Sequence, residues 1–230
     1  MKREKGIIVA IDGPSGAGKS TIARQLAKKL GYLEIDTGAM YRAMAFLAEN
    51  DGIDLDNIAE VEAFSSKASV ELVPENGFTR VFADGQEVTN LIRTPEISML
   101  TSKISAIPSV RDAMTRLQRT MGLNGGVVLD GRDIGTVVFP DAEVKFYLSA
   151  SAEERGRRRF LELKAKGEDV TLENTIKDVV RRDNQDSGRE IAPLRMADDA
   201  VAVDSTGLSI DEVVSLMESV INKSVSGKDC

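Results

Sequence analysis

Hydrophobic positions along the chain alternate between short unbroken runs and longer stripes. Gly6-Ile-Ile-Val-Ala-Ile-Asp12 is a β-branched apolar run with no polar interruption, the pattern of a strand buried on both faces. From Ser20 to Leu30 the pattern changes: Ile22, Ala23, Leu26, Ala27 and Leu30 recur at helical spacing, and Gly31 ends the stripe. Leu33 to Ile35 predicts a second strand, and Ala39 to Glu49 a second helix. Further strands are predicted at Gly126–Asp130, Val144–Leu148 and Ala200–Asp204. Helices are predicted on both sides of Pro108 and near Leu172–Arg182. Two more open at the capping boxes Ser151-Ala-Glu-Glu154 and Ser209-Ile-Asp-Glu212. Strand–helix alternation of this kind gives an α/β fold, a parallel sheet between two layers of helices.

One region breaks the alternation. Ser69–Val73, Phe78–Phe82 and Gln86–Val88 are short strand candidates separated by Asn76-Gly77 and Asp84-Gly85. Both dipeptides tolerate positive φ and favour tight hairpins. A small three-stranded antiparallel sheet is therefore expected inside the alternating chain. A length of 230 residues fits one large domain or a core with an inserted lobe.

Composition then removes whole classes of chemistry. The chain has no histidine, no tryptophan and a single cysteine, Cys230. Imidazole acid–base groups, histidine metal ligands, intrachain disulfides and cysteine-built zinc or iron–sulfur sites are all excluded. This usage fits a reducing cytoplasm. No apolar run approaches the roughly 18 residues of a spanning helix, and the N-terminus reads as neither signal peptide nor anchor. The net charge of −7 argues against non-specific nucleic-acid binding. Its distribution says more. From Arg111 to Arg195 there are 12 Arg and 4 Lys against 15 acidic residues, so the middle of an acidic protein is arginine-rich. Singly, such arginines are solvated helix faces; as a group they suit a small anionic ligand.

Gly13-Pro14-Ser15-Gly16-Ala17-Gly18-Lys19-Ser20 matches G-x-x-x-x-G-K-[ST], between the predicted first strand and first helix. In such a P-loop, backbone N–H groups wrap a phosphate, and glycines permit the approach. With Thr21 these residues form the expected ATP site, with Lys19 reaching the β- and γ-phosphates. Ser20 supplies a hard oxygen for Mg²⁺, and the helix it opens adds its dipole. A guanine-reading Asn-Lys-x-Asp is absent, since Asn222-Lys223 is followed by Ser224-Val225. The strand Val127-Val-Leu-Asp130 ends in Asp-Gly, not the Asp-Glu of many ATPases, and Asp130 can still serve Mg²⁺ directly or through water. As a turn-forming Asp-Gly it has a purely structural reading too. A small-molecule kinase fits the pattern best.

Four more clusters bear on the acceptor: Asp36-Thr-Gly-Ala-Met-Tyr-Arg42, Ser102 with Arg111, Asp130-Gly-Arg-Asp-Ile-Gly-Thr136, and Arg182-Asp-Asn-Gln-Asp-Ser-Gly-Arg189. Alone, Asp-Thr-Gly can be a helix cap and Arg-x-x-x-Asp an i,i+4 pair. Together with the P-loop, in this order, they resemble the bacterial-type cytidylate kinases, a family of P-loop nucleoside monophosphate kinases. The resemblance runs from about Gly6 to Ile221, and the small sheet between about Ala68 and Val88 is similar to that family's insertion.

The resemblance implies a P-loop three-layer α/β/α fold with a small antiparallel lobe and a helical lid. Its implied divisions are core at 1–36, 107–154 and 173–223, an acceptor lobe at 37–106, a lid at 155–172 and a disordered tail at 224–230. It implies MgATP-dependent phosphorylation of CMP, and of dCMP, to the diphosphate by a cytoplasmic enzyme. No nucleic-acid or membrane partner is expected, and the lack of a long heptad seam favours a monomer. Arg42, Arg132 and Arg189 would hold the acceptor phosphate. Thr37, Ser102, Arg111 and Asp133 would read the cytosine edge, with Tyr41 near the base. Arg182 and Asp186, with Ser102, would contact the pentose. Lys19, Arg132 and the lid residues Arg158 and Arg159 would act on the transferring group. Thr37 departs mildly from the family, where Ser is also common. Arg155, Arg158 and Arg159 share a helix face by spacing, with Arg157 pointing elsewhere; without the resemblance, that run is an ordinary solvated face.

Overall fold

Successive residues of the first strand feed two different cores. The computed structural model describes residues 3–75 and 78–226. Strand β1 spans Ile8–Asp12 and is buried throughout. Ile8 and Ala10 enter one apolar cluster, Val9 and Ile11 the other. Each fully buried Ile or Leu here contributes about 1.5–3 kcal/mol. This two-sided burial is why the run has no polar alternation.

The chain continues through α1 (Lys19–Leu30), β2 (Leu33–Asp36), α2 (Thr37–Asn50) and α3 (Ile58–Lys67). Next come β3 (Val70–Glu75), β4 (Phe78–Ala83), β5 (Gln86–Glu87), α4 (Pro95–Ile104) and α5 (Pro108–Gly122). Then follow β6 (Val127–Gly131), a π-helical turn (Ile134–Val138) and β7 (Val144–Ser149). Helices α6 (Ala152–Ala165) and α7 (Leu172–Ser187), strand β8 (Val201–Asp204) and α8 (Ile210–Ser226) complete it. The main sheet is parallel, in the order β2-β6-β1-β7-β8. Helices α1 and α8 pack on one face; α2 and α5, with the small sheet, cover the other. This is the three-layer α/β/α architecture the alternation predicts.

The inserted sheet has order β3-β4-β5, antiparallel. Its second turn is as predicted: Asp84 and Gly85 have φ of 47° and 80°, two successive left-handed residues. The Asn76-Gly77 turn and Cys230 lie outside the described residues. Helix α8 includes Ser224 to Ser226, so only Gly227–Cys230 of the expected tail lie outside them.

Several boundaries differ from expectation. Helix α3 is absent from the sequence reading; it buries only Val61, Phe64 and Ser65, and Ile58 is 74% exposed, so its stripe is thin. Helix α7 runs to Ser187, a turn beyond the predicted Arg182, which puts Arg182 and Asp186 on one helix. At α6 the capping box is half formed. The Ser151 hydroxyl accepts from Glu154 N at 3.1 Å, but the Glu154 carboxylate pairs with Arg157 and Arg158. The Ser151 amide donates to Thr206 instead. The Ser209–Glu212 box is complete in both directions.

Strands β1, β6 and β2 end side by side. Asp12 lies opposite Gly131, and Asp36 opposite Asp130. Ligands of open α/β sheets bind in the crevice outside such carboxyl ends.

Candidate active site

The P-loop leaves β1 at Gly13. A Cβ there would sit 2.0 Å from the Leu148 carbonyl oxygen, so no side chain fits. Gly18, left-handed at φ 93°, leads into α1. The Lys19 ammonium folds back onto its own loop and donates to the Pro14 carbonyl at 2.7 Å. It is 7% exposed, and burial followed by nearby Arg132 pulls its pKa down to about 7. Ser20 donates its hydroxyl proton to Asp130 Oδ2 at 2.7 Å. The other Asp130 oxygen, Oδ1, is buried without a hydrogen-bond partner. Burial, then the neighbouring Asp36 carboxylate, pushes Asp130 up to about 7.

A cleft extends from this loop between α4, the ends of β2 and β6, and α7. Its lining includes Ser15, Gly16, Gly18, Lys19, Ser20, Thr21, Thr37, Tyr41, Arg42 and Ser102. It also includes Arg111, Asp130, Arg132, Asp133, Arg159, Arg182, Asp186 and Arg189. Residues from six separate stretches of sequence thus meet in one cavity. Gly13, Pro14, Ala17 and Arg158 are not among the lining residues. Ala17 is fully buried. Arg158 turns beside the P-loop and is held by Glu154 at 2.9 Å, the Ser205 carbonyl at 2.9 Å and the Ser205 hydroxyl at 3.2 Å.

Most cleft arginines already hold a carboxylate. Arg42 bonds Asp36, the N-cap of α2, at 3.2 Å. Arg132 bonds Asp186 at 2.7 Å, and Arg189 bonds the other Asp186 oxygen. Burial alone would raise Asp186, but Arg132 and Arg189 outweigh it and hold its pKa below the usual carboxylate range. Arg111, 4% exposed, pairs with Asp133 and donates to the Ser105 carbonyl at 3.1 Å. Its guanidinium carbon stands 5.6 Å from the Tyr41 ring centre. Burial raises the pKa of Asp133, against the arginines around it. Arg182 differs: its Nε is buried with no partner, and burial together with Arg132 lowers it to about 10. Thr37 donates to the Asp130 carbonyl at 2.7 Å, which leaves its oxygen free only to accept. Ser102 lines the cleft, and its hydroxyl is 3.5 Å from the Ser98 carbonyl.

Several lining residues escaped sequence reasoning: Arg24, Arg93, Ser98, Thr101, Ser105 and Glu162. Part of the set carries a sequence signal. Ser98, Thr101, Ser102 and Ser105 recur at helical spacing, so α4 with its C-cap turns a hydroxyl stripe to the cleft. Helical spacing puts Arg155 on one face with Arg158 and Arg159. On a 3.6-residue helix those two lie about 60° and about 40° to either side of it. Arg155 itself is buried and bonds the carbonyls of Ala150 at 2.9 Å and Ser15 at 3.0 Å.

The arrangement offers a polyphosphate cradle, a hard-oxygen pair, and a cluster of guanidinium groups facing a buried Arg–Asp pair. A Ser hydroxyl beside a carboxylate oxygen with no other partner suits Mg²⁺, which takes oxygen ligands. Among the described residues, no helix is long and apolar enough to cross a membrane.

Residues 9–223 match the family model described as cytidylate kinase. A cytidylate kinase of Geobacter sulfurreducens is 62% identical over 219 residues, covering 95% of this chain and 94% of the relative. A cytidylate kinase of Citrifermentans bemidjiense is 56% identical over 227 residues, 99% and 97% of the two chains. The crystal structure of an uncharacterized protein from Eubacterium ventriosum shares the fold at TM-score 0.52 and 11% identity, covering 94% of this chain and 98% of that one.

Proposed function

The chain belongs to the cytidylate kinase family, and from that premise we propose that it transfers the γ-phosphoryl group of ATP to CMP, and to dCMP, in a Mg²⁺-dependent reaction. One observation carries the choice of acceptor: the buried Arg111–Asp133 pair lines the same cleft as the P-loop. A cytosine edge presents an amine that needs an acceptor and a carbonyl that needs a donor. Asp133 and Thr37 supply acceptors, and Arg111 supplies the donor. A uracil would leave buried partners mismatched, which discriminates strongly. Ser102 and Tyr41 line the same cleft.

Arg42, Arg132 and Arg189 hold the acceptor phosphate, with Arg182 and Asp186 at the pentose. Two polyanions must approach each other, and guanidinium groups offset their repulsion while fixing the line of attack. Gly13 to Thr21 cradle the ATP phosphates. Lys19 leaves the Pro14 carbonyl for the β- and γ-phosphates, whose charge restores the ammonium that burial disfavours. Ser20 and Asp130 would hold Mg²⁺, which supplies charge neutralisation on the transferring phosphates when bound. The acceptor oxygen is ionised near pH 7, so the chain needs no strong general base. This accords with its lack of histidine. The acceptor lobe at 37–106 and the lid at 155–172 close over the cleft, bringing Arg159 inward and excluding water. The protein acts as a cytoplasmic monomer.

A panel of nucleoside monophosphates with MgATP tests the reading. CMP is expected to give the highest kcat/KM. UMP or AMP preferred over CMP by tenfold would overturn it. ATP binding without any diphosphate product would make the protein a nucleotide-binding regulator instead.

A further inference from the structure

Asp12 is the last residue of β1, 4% exposed, and the proposed chemistry gives it no task. Both of its carboxylate oxygens are engaged by backbone. Oδ1 accepts from the Ile134 amide at 2.8 Å and Oδ2 from the Gly135 amide at 2.7 Å. Those amides open the π-helical turn. Immediately before them lie Asp133, paired with Arg111, and Arg132, bonded to Asp186. On its own chain Asp12 leads directly into Gly13 and the P-loop. One side chain therefore spans the start of the donor loop and the start of the turn that carries two acceptor-side groups.

Burying a carboxylate with no cationic hydrogen-bond partner is unfavourable. Burial pushes Asp12 up to about 6, against the two backbone hydrogen bonds. A capping function alone could be met by a neutral side chain at lower cost. What a carboxylate adds is two acceptors at a fixed separation, matched to two successive amides. The same segment is held from the other side by Thr37, which donates to the Asp130 carbonyl, and it is tightly packed. A Cβ at Gly131 would stand 2.7 Å from Ile134 and 2.9 Å from the Thr37 hydroxyl.

We propose that Asp12 is a positioning residue for base selection: it fixes the 132–135 turn so that Asp133 and Arg111 meet the acceptor base in register, and it ties that placement to the P-loop. The inference rests on the CMP kinase reading above. Asp12 touches neither substrate and acts through Asp133 and Arg132.

The test is Asp12→Asn, which keeps the shape and one acceptor but turns an NH₂ toward an N–H. Steady-state kinetics with CMP and UMP at saturating MgATP are compared with the Kd for a non-hydrolysable ATP analogue. The variant is expected to lose tenfold or more in kcat/KM for CMP, through KM, and its CMP:UMP preference falls fivefold or more. The Kd for the analogue stays within threefold. A merely loosened fold lowers the active fraction and scales both substrates alike, so an unchanged CMP:UMP ratio overturns the inference. Amide exchange in the wild type gives an answer even if the variant does not fold. The analogue alone is expected to slow exchange at Ile134 and Gly135 threefold or more, and no slowing overturns the coupling. A wild type that does not prefer CMP sinks the functional reading itself. A wild type that prefers CMP, with a variant of unaltered preference, sinks only the role of Asp12.

Discussion

The Arg155 guanidinium donates to the Ser15 carbonyl 3.0 Å away, a bond across 140 positions of sequence that ties helix α6 to the P-loop. The same group pairs with Asp183 on α7 at 2.6 Å and holds the Ala150 carbonyl after β7. Arg155→Met would strand two carbonyls and a partly buried carboxylate. An unfolding loss of about 2–3 kcal/mol is expected, since Asp183 keeps some solvent. Thermal denaturation is expected to shift down by about 4–10 °C, and ATP-analogue affinity to fall with it. Arg155→Lys should restore little, because an ammonium cannot span three acceptors in a plane.

Lys19 makes the opposite trade. Its charge is buried and held by one carbonyl. Lys19→Met is expected to cut kcat by about 10³-fold or more. Its melting temperature should match or exceed that of the wild type, because the variant removes a desolvated charge. Calorimetry beside turnover measurements checks both halves.

Asp133→Asn keeps the shape of the side chain and removes its charge, leaving Arg111 buried without a counter-charge. KM for CMP is expected to rise about 10- to 100-fold, as for a lost charged hydrogen bond. Titration with an ATP analogue should show a Kd within threefold of wild type, because Asp133 belongs to the proposed acceptor side.

Alanine normally stabilises a helix interior by about 1 kcal/mol over glycine. At Gly156 in α6 the sign should reverse. A Cβ there would stand 2.3 Å from Ile176 Cγ1 and 3.0 Å from the Ile176 Cα on α7. Gly156→Ala is expected to destabilise by about 1–3 kcal/mol, measured by denaturant titration.

Asp12 sets a pH dependence. Its folded value, about 6, lies above its ordinary 3.8, so the folded state binds the proton more tightly. The stabilisation is therefore full below about pH 4 and is lost as pH rises through 6, with a span of about 2–3 kcal/mol. Asp133, Lys19 and Tyr147 are the ionisable groups that act on it or feel it most. Between pH 4.5 and 7 the wild type should lose more stability than Asp12→Asn, by urea unfolding. Equal slopes would show that Asp12 does not titrate there.

The sequence was most legible where geometry is local. The run at Ile8–Asp12 and the Gly13–Ser20 spacing carry their own structural requirements, and the Asp84-Gly85 hairpin needs only two residues. The arginines that line the cleft were legible as types, since an anionic ligand calls for guanidinium groups. Their pairing was not. Arg132 and Asp186 are separated by 54 positions, and nothing in either neighbourhood names the other. Arg155 shows the same limit: helical spacing put it with its neighbours, and only the packing of α6 on α7 reveals that it is buried. Helix α3 is not legible, because two buried apolar side chains make too thin a stripe.

The paired arginines bear on how the cleft meets salt. Arg42, Arg132, Arg189 and Arg111 already have carboxylate counterions built into the chain. If these arginines take the acceptor phosphate as proposed, it would displace Asp36 or Asp186 from a guanidinium more than ions from solution. Few dissolved anions are released on binding, so acceptor affinity should vary less with ionic strength than the number of arginines implies. Bare phosphate, which brings charge but no base or sugar, must compete with carboxylates tethered at hydrogen-bond distance. On the proposed reading, the cleft would thus favour a whole nucleotide over the free anions that share its charge.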